Sequence, residues 1–237
     1  MFDVPIDLQV QKDEQVTPWK VDNWNSPILG EYNWKSALAI SLNCAAANVA
    51  MKMGTMQMAD GLEKSGAYSN LTNDENLSHL GWPYTLGVSD NSIGNMATMY
   101  STFANGGLRV NTAPITSIKD GEGNPIYTYV ERPGTRQRVF STKVAEEIVD
   151  ALGNNIYRPS GETNPIWKPI LQEPGEKAFF AKTGTAEPTE AGRHSWTVGA
   201  TDDIAIAVYV HSDSNSTASG LNCAAPLFRK IKKGLEG

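Results

Sequence analysis

The 237-residue sequence predicts a mixed α/β fold of the α+β type, a sheet flanked by helices, on three observations. Ile204, Ile206, Val208 and Val210 alternate with Ala205, Ala207 and Tyr209, so a strand over Asp203–His211 is largely apolar on both faces, as a strand covered from each side must be. Two further strand-like runs, Ala178–Lys182 and Ser195–Thr201, precede it. Upstream, three segments repeat apolar residues at the three- and four-residue steps of helices. Apolar residues make up 40% of the chain and charged residues 19%, the balance of a globular protein with a core of its own.

Residues 1–34 are rich in Pro, Asn, Asp and Trp and keep no sustained period, which predicts an irregular segment pinned by Trp19, Trp24 and Trp34. From Trp34 to Gly54, Leu38, Leu42, Ala45, Ala46, Val49 and Met53 mark one helix face, with Gly54 placed to end it and a break into two helices near Ser41. A second helix is expected over Ser92–Asn105, opened by the capping residues of "SDNS" and closed by Gly106 and Gly107. The run "LRVNTAPITSIKDGEGNPIYTYV" reads as a small hairpin with a glycine-rich turn. Ser141 then caps a third helix with Val144, Ile148, Ala151 and Leu152 on one face, and "RPSGETNPIWKPILQEPGEK" reads as a loop. After the three strands a last helix spans roughly Ala225–Leu235. The chain thus divides as one domain over 1–237: an irregular 1–34, a helical 35–175 with a small hairpin, and 176–237 with three strands and the last helix.

A net charge of −6, with no like-charge block longer than the "RKIKK" near the C-terminus, argues against a nucleic-acid partner. That basic cluster is expected on the solvated face of the last helix. Cys44 and Cys223 lack a CxxC partner, and no histidine stands at ligand spacing, so neither a metal nor a cofactor is expected; each cysteine reads as a small apolar residue, with the disulfide question open. The N-terminus carries no charged region followed by an apolar one, and nowhere do eighteen apolar residues run together.

The stretch "FFAKTGTAE" at Phe179–Glu187 sets a lysine between a strand-like run and small residues. Gly184 removes a side chain where another backbone or a ligand could approach, Thr183 and Thr185 add hydroxyls, and the Thr185 N–H could face a developing oxyanion. An edge strand whose lysine deters aggregation gives the same pattern. Chemistry on the lysine needs a partner, and two Ser-x-Asn tripeptides offer one: "SLN" at Ser41–Asn43 and "SDN" at Ser89–Asn91. Either could also be a helix break with a cap.

Ser-x-Asn followed by Lys-Thr-Gly is two thirds of the signature of penicillin-binding transpeptidases and serine β-lactamases. The run "GEYNWKSALAISLNCAAANVAMKMG" resembles the class A penicillin-binding-protein segment that holds the second motif, "YTLGVSDNSIGNMATMYSTFANGGLRVNTAPITSIKDGEGNPIY" resembles the next, and "AKTGTAE" with "HSWTVGATDD" and "IAIAVYV" resembles the last three strands. The likeness covers essentially the whole chain and implies an antiparallel sheet flanked by helices, of the serine β-lactamase/transpeptidase type. It assigns the second-motif role to Ser41 and Asn43 and leaves Ser89 as a cap. The departure is the first motif: no serine in the chain has a lysine three residues later. The expectation is therefore truncation, with the first strands and the nucleophile helix lying upstream and the strand Asp203–His211 left with a bare edge for that missing N-terminal segment of the same protein.

The resemblance implies a D,D-transpeptidase that cross-links peptidoglycan stem peptides through an acyl-enzyme and is acylated by β-lactams, located outside the cytoplasmic membrane. Ser41 would relay protons, Asn43 would orient the substrate amide, and Lys182 would hold the Ser41 hydroxyl and keep the site electropositive. Thr183 and Thr185 would bind the substrate carboxylate while Gly184 clears the path of a peptide added along the strand. His194 reads as a turn histidine on the surface, with a place in the cleft lining as the alternative, and Trp196 as core rather than a substrate platform. A non-catalytic peptidoglycan- or β-lactam-binding module is the alternative, and a β-lactamase or β-lactam sensor fits less well.

Overall fold

In the computed structural model of the protein, the described residues are 2–12, 15–24, 30–67, 82–87, 90–132, 134–159, 165–186, 193–213 and 217–236. The described residues among the first 34 are largely strand rather than irregular. Strands β1 (Phe2–Asp3), β2 (Ile6–Lys12), β3 (Gln15–Val21) and β4 (Gly30–Glu31) pair antiparallel as β1 with β4 and β2 with β3, in a register that sets Ile6 opposite Val21. The alternation of "IDLQVQK" is the signal for β2, and Pro18 is tolerated in β3 because a two-stranded ribbon leaves an edge free of ladder bonds. Of the three tryptophans, Trp19 packs with Ile6, Val21 and Cys44, whereas Trp24 is 59% exposed and does not pin the segment.

The broken helix divides into α1 (Trp34–Ala39) and α2 (Asn43–Met53), with Ser41 between them at φ 65°. A further helix, α3 (Thr55–Ser65), follows Gly54 and has no counterpart in the sequence pattern, since Gly61 and a run of polar residues blur its face. Helix α4 (Ile93–Ala104) is capped by Ser92 Oγ, which accepts the Asn95 N–H at 3.0 Å; Ser89 lies outside the described residues. Strands β5 (Leu108–Val110), β6 (Ser117–Lys119), β7 (Pro125–Thr128) and β8 (Arg136–Arg138) form the pairs β5–β8 and β6–β7, the latter being the small hairpin. Helix α5 (Thr142–Gly153) is capped by Ser141 and buries Ala145, Ala151 and Leu152, while Val144 is exposed. Within the stretch expected to be a loop, a 3₁₀ turn at Pro165–Ile170 buries Trp167 and Ile170; residues 160–164 fall outside the description.

Strands β9 (Phe180–Ala186), β10 (Arg193–Ala200) and β11 (Ala205–Ser212) form one antiparallel sheet in the order β11-β10-β9, so β11 is an edge among the described residues. β9 runs four residues further than its apolar run suggests, because Lys182 to Ala186 continue to pair with Val198 to His194. A π-helical turn (Gly220–Ala224) leads into α6 (Ala225–Glu236). On one face Ile206, Val208 and Ala181 meet Leu221 and Phe228 from this turn and helix; on the other Phe180, Val198 and Ala200 meet Tyr100 of α4 and Leu152 of α5, with the Tyr100 and Phe180 rings stacked at 5.9 Å. Each fully buried large side chain of this two-sided core contributes about 1.5–3 kcal/mol.

The basic cluster of α6 is solvated only in part: Lys230 and Lys233 are exposed as expected, and the other two cations are not. Arg229 and Lys232 lie three apart on the helix and turn inward with Phe228, their charges 5.9 and 4.8 Å from the Phe179 ring. Their heads meet Glu176, whose side chain is only 8% exposed, at 2.7 and 3.2 Å, with Glu173 and Glu236 completing the network. This network pins the segment that leads into β9. Removing Glu176 leaves Arg229 with Glu173 and Lys232 with Glu236 as their remaining acids, so Glu176→Ala is expected to lower unfolding stability by about 2 kcal/mol in chemical denaturation.

Candidate active site

Two elements bring the predicted residues together. The first is the α1–α2 turn. Asn33 caps α1, α1 ends at Ile40, and the chain reverses through Ser41 in the left-handed region, where an L-residue is disfavoured by roughly 1–2 kcal/mol. Ser41 is the one non-glycine residue with positive φ among the described residues. The turn is held from outside. Leu42 gives α2 no side-chain cap, and Asn23 supplies one from across the chain: its Oδ1 accepts the Cys44 N–H at 3.1 Å, and its Nδ2 donates to both carboxylate oxygens of buried Asp3. Asn43 Nδ2 donates to the Asp22 carbonyl at 3.1 Å, which fixes its carboxamide. Cys44 is buried and free, its Sγ donating to the Val21 carbonyl, and Cys223 is also free.

The second element is β9. Lys182 Nζ donates to Ser41 Oγ at 2.7 Å and to the Thr183 carbonyl at 2.9 Å. A cleft of about 850 Å³ is lined by Ser41, Asn43, Thr183, Gly184 and Thr185. Lys182 itself stands behind this wall and reaches it through the Ser41 hydroxyl. Desolvation pushes the Lys182 ammonium down to about 7, and the Arg158 cation adds to the effect. Its proton is therefore mobile near neutral pH.

The threonines and glycines differ in what they serve. Thr185 Oγ1 accepts the Gly220 N–H at 3.0 Å, which leaves its own hydroxyl proton free to donate into the cleft. A Cβ at Gly220 would lie 2.6 Å from the Gly184 carbonyl oxygen and 2.7 Å from that of Trp196, so internal packing demands glycine at 220. A Cβ at Gly184 would meet only Trp196 Cβ at an ordinary 3.6 Å. The fold does not need a glycine there.

His194 is not in a turn: it lies in β10, partly buried, with Nδ1 against the Tyr209 hydroxyl and its ring against His211, and it is absent from the cleft wall. Its neighbour Arg193 lines the cleft instead, as do Ser219 and Asn222 opposite β9. Trp196 packs with the α4 and α5 side of the core. Arg158 has no motif around it in the sequence and is a residue that pattern reasoning missed; it is 5% exposed, and its Nη2 donates to the Ala181 carbonyl at 2.9 Å.

Because Lys182 titrates near 7 when folded and near 10.5 when not, the unfolded chain holds the extra proton between those values, and stability from this group rises with pH across that window. Lys182→Met removes the titration. Its effect on stability is therefore expected to be more favourable at pH 6 than at pH 10, measured by urea unfolding at both.

A family model described as the penicillin binding protein transpeptidase domain matches residues 4–233. Penicillin-binding protein 1A of Rickettsia felis is 24% identical over 237 residues, covering 93% of this chain and 29% of that protein, so the chain spans under a third of that relative. Among solved structures, penicillin-binding protein 1A from Haemophilus influenzae superposes with a TM-score of 0.76 at 20% identity, covering 99% of this chain and 38% of the other. PonA1 from Mycobacterium tuberculosis, in complex with penicillin V, superposes with a TM-score of 0.72 at 20% identity, covering 92% and 60%. The sheet with helices on both faces is thus the β-lactamase/transpeptidase fold, and with the family model matching nearly its full length the chain belongs to the penicillin-binding protein transpeptidase domain family.

Proposed function

We propose that the chain forms the Ser-x-Asn and Lys-Thr-Gly walls of a D,D-transpeptidase site that cross-links peptidoglycan stem peptides, with the nucleophilic serine supplied by residues outside this sequence. The family is one of serine acyltransferases. The observation that carries the reading is the 2.7 Å contact between Lys182 Nζ and Ser41 Oγ at a cleft also lined by Asn43, Thr183, Gly184 and Thr185.

In the proposed reaction the serine oxygen attacks the carbonyl of the penultimate D-Ala of a stem peptide. The serine proton passes to a basic group and on to the departing amine, and the bond to the terminal D-Ala breaks. An amine of a neighbouring stem then attacks the ester, gives up a proton and releases the serine. Ser41 accepts a hydrogen bond from Lys182, which leaves its hydroxyl proton available to relay, and a lysine poised near 7 can give or take that proton at neutral pH. Asn43, with its carboxamide fixed by Asp22, orients the substrate amide. The hydroxyl protons of Thr183 and Thr185 bind the terminal carboxylate, and the Thr185 N–H is one oxyanion donor, an interaction worth about 2.7–4 kcal/mol in comparable sites.

Gly184 serves the incoming peptide, since nothing in the fold excludes a side chain at that position. A β-lactam would enter by the same attack, and ring opening would leave the acyl group attached, as the complex of the PonA1 relative with penicillin V encourages. The edge that β11 forms among the described residues fits pairing with the segment of the protein that carries the nucleophile, and the site would work outside the cytoplasmic membrane.

A labelled penicillin applied to the full-length protein tests this. A stable covalent band is expected, and Ser41→Ala or Lys182→Met should slow its formation by roughly 10²–10⁴-fold. Absence of any covalent label would favour a non-catalytic binding module, and a label that turns over rapidly would favour a β-lactamase.

A further inference from the structure

Arg158 is an anomaly. It follows the short 3₁₀ turn Asn155–Tyr157, is 5% exposed, and forms no ion pair among the described residues. Of its donors, Nη2 meets the Ala181 carbonyl at 2.9 Å, while buried Nε and Nη1 have no partner among the described residues. A guanidinium placed in this way costs free energy, and a carbonyl bond alone does not offset the loss of water. Burial lowers its pKa only to about 10, so it remains a cation at physiological pH. Its one bond is to the residue immediately before Lys182.

The surroundings of Lys182 sharpen the point. Ser41 from the α1–α2 turn is neutral, and so is Tyr100 of α4, whose phenol is pushed upward by burial. The acidic pair Glu147 and Asp150 of α5 is engaged by Lys35 at 2.6 Å from each. The charge that acts on Lys182 from its neighbours is therefore that of Arg158.

We infer that Arg158 is a positioning residue for the Lys182–Ser41 pair, its unneutralised guanidinium holding the β9 backbone at Ala181 and disfavouring a second cation beside it, so that Lys182 meets Ser41 with a readily lost proton. The inference deepens the proposed function and rests on its assignment of Ser41 and Lys182 to one site. A guanidinium that serves only as a backbone clamp would fix the strand equally well but would leave the lysine's proton affinity untouched, and this separates the two roles.

The test is an NMR titration of the chain labelled with ¹³C at the lysine ε-carbon, the Lys182 signal being assigned by its loss in Lys182→Met. Three proteins are compared: wild type, Arg158→Met, and Arg158→Gln, which keeps a donor for the Ala181 carbonyl but no charge. The wild-type midpoint is expected near 7, and both variants, checked for folding by thermal melts, should shift it upward by about one pH unit or more. Folded variants with lowered melting temperatures and an unmoved Lys182 midpoint would reduce Arg158 to a clamp and overturn the inference. If neither variant folds, citrulline placed at position 158, the neutral isostere of arginine, decides: a Lys182 midpoint moved upward supports the inference, and an unmoved one, or a wild-type midpoint at the ordinary 10.5, overturns it. No substrate is involved, so failure of penicillin labelling in the full-length protein would sink the proposed reaction without touching this result.

Discussion

One hydrogen bond, 2.7 Å between side chains 141 residues apart, ties the α1–α2 turn to strand β9. Lys182 can make it only because Ser41 occupies a left-handed turn that projects its hydroxyl toward β9, and Ser41 can stay there only because both flanking helices are anchored elsewhere. Asn33 secures α1; Asn23, itself held by Asp3, secures α2. The N-terminal strands, far from being a loose lead, carry the residues that hold the turn. Holding a serine in the left-handed region costs roughly 1–2 kcal/mol, and here caps on either side offset it.

The electrostatics follow from the same arrangement. A lysine drawn from solvent and set beside a buried arginine would ordinarily be an error of folding, since neither cation forms an ion pair among the described residues. The sheet tolerates it because its two faces are filled independently, by α6 and the π-helical turn on one side and by α4 and α5 on the other. The ion-pair network of Glu176 with Arg229 and Lys232 locks the segment just upstream of β9. Among the described residues, Glu176 and Lys232 are buried and paired, whereas Arg158 is buried and makes no ion pair.

Much of the site is legible in the sequence because its elements are local. The alternation at 204–210 defines β11, the Lys-Thr-Gly run marks β9, and the interrupted apolar period at Ser41 marks the helix junction. What stays hidden depends on contacts between distant segments. Nothing around Arg158 announces burial, since a guanidinium in a Pro- and Gly-rich stretch reads as a surface residue until β9 closes over it. Arg229 and Lys232 look solvated because their acidic partner lies more than fifty positions away. The N-terminal hairpin is masked by proline and tryptophan, and the extension of β9 is masked by small polar residues whose strand character comes from pairing with β10.

The central claim is that Ser41 and Lys182 act as one unit, and a double-mutant cycle addresses it most directly. The acylation rate of the full-length protein by penicillin would be measured for Ser41→Ala, for Lys182→Met and for the pair together. If the two side chains share one proton path, the double variant should be no slower than the worse single variant. Losses that multiply independently would contradict the account.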